Sequence, residues 1–97
     1  MQLPETLTEI GEKVFFDCVN LEVCNIPENL DGIDAGAFHR CQKLKYLVVP
    51  ENTYISIDAF EDMGVDFFVV TQNRYAILNC SHMKIPTTPF LPPNFEE

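Results

Sequence analysis

The chain places potential nucleophiles and metal ligands close together at one point, the tripeptide Cys80-Ser81-His82. A cysteine thiolate activated by an imidazole can attack a carbonyl, and cysteine and histidine together can bind zinc. A structural zinc site needs a second ligand pair at a suitable spacing, and no such pair follows. The sequence also offers no glycine-rich oxyanion turn and no residue that would orient His82 or His39. We therefore expect no catalytic residue, no bound metal and no cofactor, so that the chain is not an enzyme.

The remaining cysteines are expected to be buried free thiols, since unpaired cysteine is among the most buried residue types. Cys18 and Cys41 occupy equivalent positions of the repeat described below. Their side chains would point the same way, whereas a disulfide needs opposed Cβ vectors. Cys24 lies at a strand position equivalent to Leu47, which favours a place in the core over a ligand role.

Acidic residues suggest a second kind of metal site, because carboxylate oxygens are preferred calcium ligands. Five of them lie near predicted corners of the chain, but their spacing does not match an EF-hand loop. Aspartate and glutamate are also common as turn residues and solvated charges. We therefore expect no calcium site at these five residues, which are Asp31, Asp34, Asp58, Glu61 and Asp62.

The charge balance argues against two classes of partner. The chain has 15 Asp and Glu residues against 6 Lys and Arg, which gives a net charge of −9 at pH 7. This charge repels phosphate backbones and anionic membrane surfaces, so we expect no nucleic-acid partner. No run of about 18 apolar residues is present, so we expect no membrane insertion.

The beginning of the chain bears on its compartment. Residues 1–13 lack the basic head and the apolar stretch of a secretory signal. We therefore expect the chain to be cytoplasmic as it stands, or cell-surface or secreted if it is a processed piece of a longer exported protein.

A sequence repeat of about 23 residues must position all of these side chains. Leu3-Pro4-Glu5 recurs as Ile26-Pro27-Glu28 and again as Val49-Pro50-Glu51, at a spacing of 23 residues. A period in the twenties is typical of a solenoid, so the repeat predicts about three stacked coils, over residues 3–25, 26–48 and 49–71. Inside the coils, Leu7, Ile10, Phe15, Cys18 and Leu21 recur as Leu30, Ile33, Phe38, Cys41 and Leu44.

Each coil is predicted to contribute two short strands and one helical or 3₁₀ turn. Stacked coils would form parallel strand ladders with apolar inner faces. In the first coil we expect Val14 and Phe15 to point inward and residues 21–26 to form a strand. In the third coil one residue is lost and Gly64 blurs the register of the strand over residues 65–70, where we expect Phe67 and Val69 to point inward.

The three coils and their end are expected to form one domain over residues 1–80. Residues 72–80 would be a partial cap, in which residues 74–78 begin a fourth coil. Residues 81–97 hold four of the seven prolines and no periodicity, which predicts a C-terminal proline-rich tail. This tail would either dock through Phe90, Leu91 and Phe95 or stay unstructured.

The repeat resembles a known family. The segment from Ile26 to Pro50, with its Ala37-Phe38-His39-Arg40-Cys41 box and its Leu44-Lys45 strand entry, resembles the leucine-rich repeats of BspA type, known from bacterial and protist surface proteins. The resemblance covers Leu3 to about Val70. It implies a leucine-rich-repeat solenoid of the α/β class, mostly β, and a non-enzymatic role in adhesion or protein binding.

We expect a partner protein to bind the outward face of the longer strands, since an apolar sheet face around Tyr46 is of the kind that binds proteins. The alternative is that the tail or a second copy of the chain covers this face. The residues of the candidate protein-binding surface are Glu22, Val23, Asn25, Lys45, Tyr46, Val48, Phe68 and Val70.

Two other functions stay open at this point. The chain could be a structural fragment or cap of a longer adhesin-like repeat protein, self-associating through exposed solenoid ends. It could also be a glycan-binding module, which would need outward aromatic side chains. Tryptophan is absent, so only Tyr46, Tyr54 and Tyr75 could serve that third function.

Overall fold

The computed structural model describes residues 1–93, and its regular elements in that range are short strands and one helix. The strands are two or three residues long, and the two sheets that they form are not closed. This agrees with the mostly β class that the repeat predicts. The elements are β1 (Glu9–Ile10), β2 (Gly32–Ile33), β3 (Tyr46–Val48), β4 (Tyr54–Ile55), β5 (Phe68–Val70), α1 (Arg74–His82) and β6 (Thr87–Thr88).

Equivalent strands of successive repeats pair in parallel, as predicted. The first sheet has the order β1-β2-β4, and Ile10, Ile33 and Ile55 are register partners in it. The second sheet has the order β3-β5-β6, and Leu47 pairs with Val69. All five side chains are buried and belong to one hydrophobic cluster. Both ladders therefore face the same core.

An aromatic column runs through that core. Phe15, Phe38 and Phe60 occupy equivalent positions, with ring centroids 5.1 Å apart in the first pair and 5.7 Å apart in the second. Phe67 extends the column, with its ring centroid 5.3 Å from that of Phe60. Each such pair contributes about 0.5–1.5 kcal/mol beyond the burial of its area. The repeats therefore stabilise one another through side chains of the same type.

The turns between the strands are also hydrogen-bonded from one repeat to the next. The Phe15 N–H donates to the Ala37 carbonyl at 2.8 Å, and the Phe38 N–H donates to the Ala59 carbonyl at 3.1 Å. A buried peptide group without a partner is costly, and here the next repeat supplies the partner. A single repeat could not satisfy these groups by itself.

Each turn contains a left-handed residue, and these residues carry alternating charges. Asp17, Arg40 and Asp62 have φ values of 61°, 64° and 60°. Arg40 Nη1 lies 3.2 Å from the Asp17 carboxylate, and Arg40 Nε lies 3.9 Å from that of Asp62. Exposed ion pairs contribute only about 0–1 kcal/mol. These two ion pairs therefore add little to the stability of the fold.

The first repeat differs from its prediction in two places. The strand predicted over residues 21–26 is wrong, since the described chain has only an isolated bridge there, between Gln2 and Asn25. Val14, predicted to point inward, is 57% exposed. The equivalent Ala37 lies between two repeats, whereas Val14 lies on the outer side of the first repeat, so position in the stack decides the difference.

The third repeat keeps the predicted orientation of its strand. Phe67 and Val69 are buried, which confirms that they point inward, although β5 is shorter than the predicted strand. Gly64 precedes this strand at a close approach of two repeats. A Cβ atom built on Gly64 would lie 2.6 Å from the Gln42 carbonyl oxygen. Only glycine fits there without a shift of the backbone.

Residues 74–78, where a fourth coil is predicted to begin, form the first part of α1. Asn73 caps this helix, because its side-chain oxygen accepts hydrogen bonds from the N–H groups of Tyr75 at 2.8 Å and Ala76 at 3.2 Å. Ala76 and Cys80, one helical turn apart, are its buried residues. A local cap and an i, i+4 apolar pair thus favour the helix.

The helix α1 continues the ladder of the first sheet with a side chain in place of a backbone group. The Ser56 N–H donates to the Ile33 carbonyl at 2.9 Å, as expected for stacked repeats. At the next step the Asn79 side-chain amide donates to the Ile55 carbonyl at 2.7 Å. The last strand of this sheet is therefore satisfied without a further strand.

The chain then returns to the second sheet. In β6, Thr87 pairs with Val69 and Thr88 pairs with Val70. The domain boundary predicted after residue 80 thus falls inside α1, and part of the predicted tail is a strand of the sheet. Phe95, predicted to help dock the tail, lies outside the described residues.

We expect Gly64→Ala to destabilise the fold by about 1–3 kcal/mol, because the added methyl group meets the Gln42 carbonyl oxygen and forces a backbone shift. Gly11→Ala is the matched control, since its Cβ would lie at an ordinary 3.6 Å from Val14 Cγ2. Urea unfolding of the two variants measures the difference. Equal midpoints would contradict the close approach.

Candidate functional site

The outer face of the second sheet carries a pair of stacked aromatic rings. Tyr46 and Phe68 are register partners on β3 and β5, and their ring centroids are 5.8 Å apart at an interplanar angle of 24°. Both side chains are half-buried. Val48 on the same face of β3 is 45% exposed, and Val23 in the first repeat is 48% exposed. The face thus combines ordered aromatic rings with open aliphatic side chains.

Val70 is not part of an exposed surface, and its predicted outward exposure is wrong. It is only 5% exposed. Its strand is the central one of the sheet, so its register partners Val48 and Thr88 flank it on both sides. Pro89 lines the same shallow hollow as Val70. This cover comes from the segment predicted to be a tail, which is one of the alternatives that the sequence left open for this face.

Asn25 is exposed and hydrogen-bonded to the beginning of the chain. Its backbone N–H donates to the Met1 carbonyl at 2.8 Å, and its side-chain amide donates to Gln2 Oε1 at 3.2 Å. Within residues 1–93, no backbone hydrogen bond joins residues 21–26 to β3. The first and second repeats are therefore not hydrogen-bonded to each other along this side of the stack.

A groove with a volume of about 530 Å³ opens beside this junction. Its lining comes from all three repeats: Glu22 and Val23 from the first, residues 42–46 from the second and residues 64–67 from the third. The volume lies within the range of about 300–1,000 Å³ that is usual for ligand sites. Four residues of the predicted surface line this groove, namely Glu22, Val23, Lys45 and Tyr46, whereas Asn25, Val48, Phe68 and Val70 lie outside it.

The groove also contains residues that the sequence did not single out. Lys43, Val65 and Asp66 lie on turns just before the strands of the second and third repeats. The third repeat is one residue out of step with the second, so the repeat pattern gave no reason to place these three residues beside Lys45. A hydrophobic residue next to an aspartate, as in Val65-Asp66, is a local sequence signal that could have indicated this part of the groove.

Two lysines of this groove have no ion pair. Lys43 and Lys45 are exposed, and neither has a carboxylate within 4.0 Å in the described chain, although Glu22 and Asp66 line the same groove. Arg40, by contrast, lies between two aspartates. The groove therefore presents separated charges of both signs on apolar walls.

Cys80 and His82 do not form a nucleophile and its base. Cys80 lies on the buried face of α1, and its burial raises the pKa of its thiol to about 11. His82 is exposed and lies two residues further along the helix, which places it on a different face. A thiol with so high a pKa is a poor nucleophile at neutral pH.

The other cysteines are free thiols, as predicted. Burial raises the pKa of Cys24 and of Cys41 to about 11. The Cys41 thiol donates a hydrogen bond of 3.1 Å to the Phe15 carbonyl. The predicted burial of Cys18 is wrong, because it belongs to the first repeat and is only partly buried.

Three of the acidic corner residues have partners of their own. Asp58 accepts a hydrogen bond of 2.7 Å from the Ser56 hydroxyl, Glu61 lies 3.8 Å from His39 Nδ1, and Asp62 lies beside Arg40. Within residues 1–93, no three His, Cys, Asp or Glu side chains are arranged to hold a metal ion. No helix in that range is both long and apolar enough to span a membrane.

Glu9 forms a crowded pair with Asp34. A hydrogen bond with the Asp34 side chain raises the pKa of Glu9, and the negative charges of Asp34 and Asp31 raise it further. Gly32 lies between the two carboxylates, with Glu9 Oε2 and Asp34 Oδ1 at 3.6 and 3.9 Å from the position of an added Cβ. Three carboxyl groups thus crowd one edge of the first sheet.

Comparison with known proteins gives one match. A family model described as BspA type leucine rich repeat region, with 6 copies, matches residues 1–86. The matched region includes α1 and ends just before β6, so it extends beyond the three repeats visible in the sequence. No curated protein and no solved structure matches the chain.

We expect the folded chain to react with iodoacetamide first at Cys18, because it is the only partly exposed thiol among the four. A pKa of about 11 leaves on the order of one thiolate in a thousand thiols at pH 8, so Cys24, Cys41 and Cys80 should react only after denaturation. Peptide mass spectrometry of the labelled chain measures the order. Rapid labelling of Cys80 in the folded protein would contradict its burial.

Glu9→Gln should raise the melting temperature at neutral pH. The raised pKa of Glu9 means that the folded state favours its protonated form, so this stability is present below the ordinary pKa of 4.5 and is lost as the pH rises through the raised folded value. Glutamine mimics the protonated carboxyl, and the gain should disappear in acid below pH 4.5. Glu28→Gln, at an exposed corner, is the matched control. A gain that is equal at both pH values would contradict the assignment.

Proposed function

The chain belongs to the BspA-type leucine-rich repeat family, and we infer from this that its stacked repeats form a short solenoid that acts as a non-enzymatic protein-binding module. The proposed binding surface is the outer face of the second sheet and the groove beside it. Val70 is left out of this surface because it is buried, and Asn25 is exposed and hydrogen-bonded to Gln2.

One observation carries this proposal: the stacked pair of Tyr46 and Phe68, which has open Val48 and Val23 beside it. Aromatic and aliphatic side chains with low charge density are typical of the centres of protein interfaces. The parallel pairing of β3 with β5, and of β5 with β6, fixes the backbone that carries these side chains. A partner would therefore bind without the entropic cost of ordering this surface.

The segment after β6 limits where a partner could bind. Pro89 lines a hollow with Val48, and Pro92 lines another with Phe68 and Val65. Leu91 is half-buried, while Phe90 is exposed. The positions of Pro89 and Pro92 favour binding on the half of the face that lies nearer the first repeat.

A second function is favoured by the outer side of the first repeat. Val14 is 57% exposed there. Since α1 closes the other end, self-association would bring two first repeats together instead of forming an open-ended fibre. This structural role is the alternative to protein binding, and it predicts association that depends on concentration.

Val48→Asp should weaken binding of a partner about tenfold or more, because a carboxylate buried at an interface without a partner is costly. The measurement is quantitative capture of proteins from an extract of the source organism on the immobilised chain. Ile57→Asp is the matched control, since Ile57 is exposed to a similar degree away from this face. Retention that both variants keep, or that both lose, would contradict a role for the face.

Light scattering over a hundredfold range of concentration separates the two functions. A monomer throughout supports the binding module. Association that Val14→Asp abolishes and Val48→Asp leaves intact would replace it with the structural role.

A further inference from the structure

We propose that the groove beside β3 binds an extended segment of a partner protein in which an apolar side chain is followed by one or two carboxylates. This inference rests on the proposed function and names the chemistry of the partner. Its basis is the combination of lysines without an ion pair in the described chain, exposed valines and a lining that comes from three repeats.

Cations are scarce in this chain, so where they lie is informative. Of the 6 Lys and Arg residues, Arg40 is held between two aspartates and Lys13 lies 5.9 Å from the centroid of the Phe16 ring. Lys43 and Lys45 instead line one groove two residues apart, and neither has an ion pair in the described chain. Their ammonium groups are available to carboxylates of a ligand, and such charge-assisted hydrogen bonds are among the strong ones.

The apolar part of the groove is equally open. Val65 is 100% exposed, so it contacts nothing in the described chain that would explain a hydrophobic residue there. It lies on the wall formed by the third repeat, and Val23 lies on the wall formed by the first. An apolar side chain seated between these two valines would remove both from water, at about 25 cal/mol for each Å² buried.

The shape of the groove favours an extended occupant. Its lining passes from Glu22 and Val23 through residues 42–46 to residues 64–67, which crosses the stack from the first repeat to the third. No backbone hydrogen bond of the described chain joins residues 21–26 to β3 at this place. Extended peptides commonly bind where a sheet is left unpaired in this way.

The charge of the whole chain restricts the number of carboxylates. A net charge of −9 repels polyanions such as nucleic acids at long range, and Glu22 and Asp66 repel negative groups placed outside the reach of the lysines. The partner segment therefore carries a small number of carboxylates directly beside its apolar anchor, with neutral or apolar residues around them.

A peptide selection tests this inference. A library of random twelve-residue peptides displayed on phage is selected on the immobilised full chain, and the enriched peptides are synthesised with a fluorescent label and titrated by anisotropy. We expect Asp or Glu to be enriched next to an apolar residue. Replacing these acids with Asn or Gln, or changing Lys43→Gln and Lys45→Gln together, should weaken binding about tenfold. Arg74→Gln, which also removes a positive charge, should leave binding unchanged.

The outcomes separate this inference from the proposed function. Peptides that lose binding with Val48→Asp but not with the lysine variants would overturn the acidic segment and leave the protein-binding module standing. Enriched peptides without acidic residues would overturn it as well. Failure to enrich any peptide, or binding that neither Val48 nor the lysines affect, would overturn both.

Discussion

The fold depends on one constraint, which is that a repeat cannot bury its apolar side or satisfy its turn peptides by itself. The N–H groups of Phe15 and Phe38 find their acceptors in the following repeat, and the rings of both side chains stack on their counterparts there. Stability therefore comes from the contacts between neighbouring repeats, and each interface between repeats contributes to it. The strands can be as short as two residues because the ladder continues through the turns.

The same constraint leaves backbone groups without a following repeat at the end of the stack, and side chains pair with them there. The Asn79 amide donates to the Ile55 carbonyl, where a further repeat would supply a backbone N–H, and the Asn73 amide donates to the Glu51 carbonyl. The Met83 sulfur accepts from the Phe60 N–H at 3.4 Å in the corresponding turn. Unpaired strand edges invite association, so this end of the stack is protected. The first repeat has no comparable helix, which is why its Val14 is exposed.

The candidate site arises where the repeats stop being identical. Gly64 allows the third repeat to approach the Gln42 carbonyl, and residues 64–67 line the same groove as Glu22 and Val23 of the first repeat. An array of perfect copies would give a continuous sheet at this place. The first repeat has no strand at residues 21–26, so the sheet ends at β3, and a groove with separated charges is left there.

The sequence by itself determined the repeat, its family, the parallel pairing and the inward positions of Phe67 and Val69, because identical spacing places identical residues above one another. It also determined that the cysteines stay unpaired, since stacked thiols point the same way. Only the tertiary structure decided that residues 74–82 form a helix, that β6 completes a sheet, that Val70 is buried and that Lys43 and Lys45 share a groove with Val65. These features depend on segments that do not repeat, and their contacts come from distant parts of the chain that no period brings together.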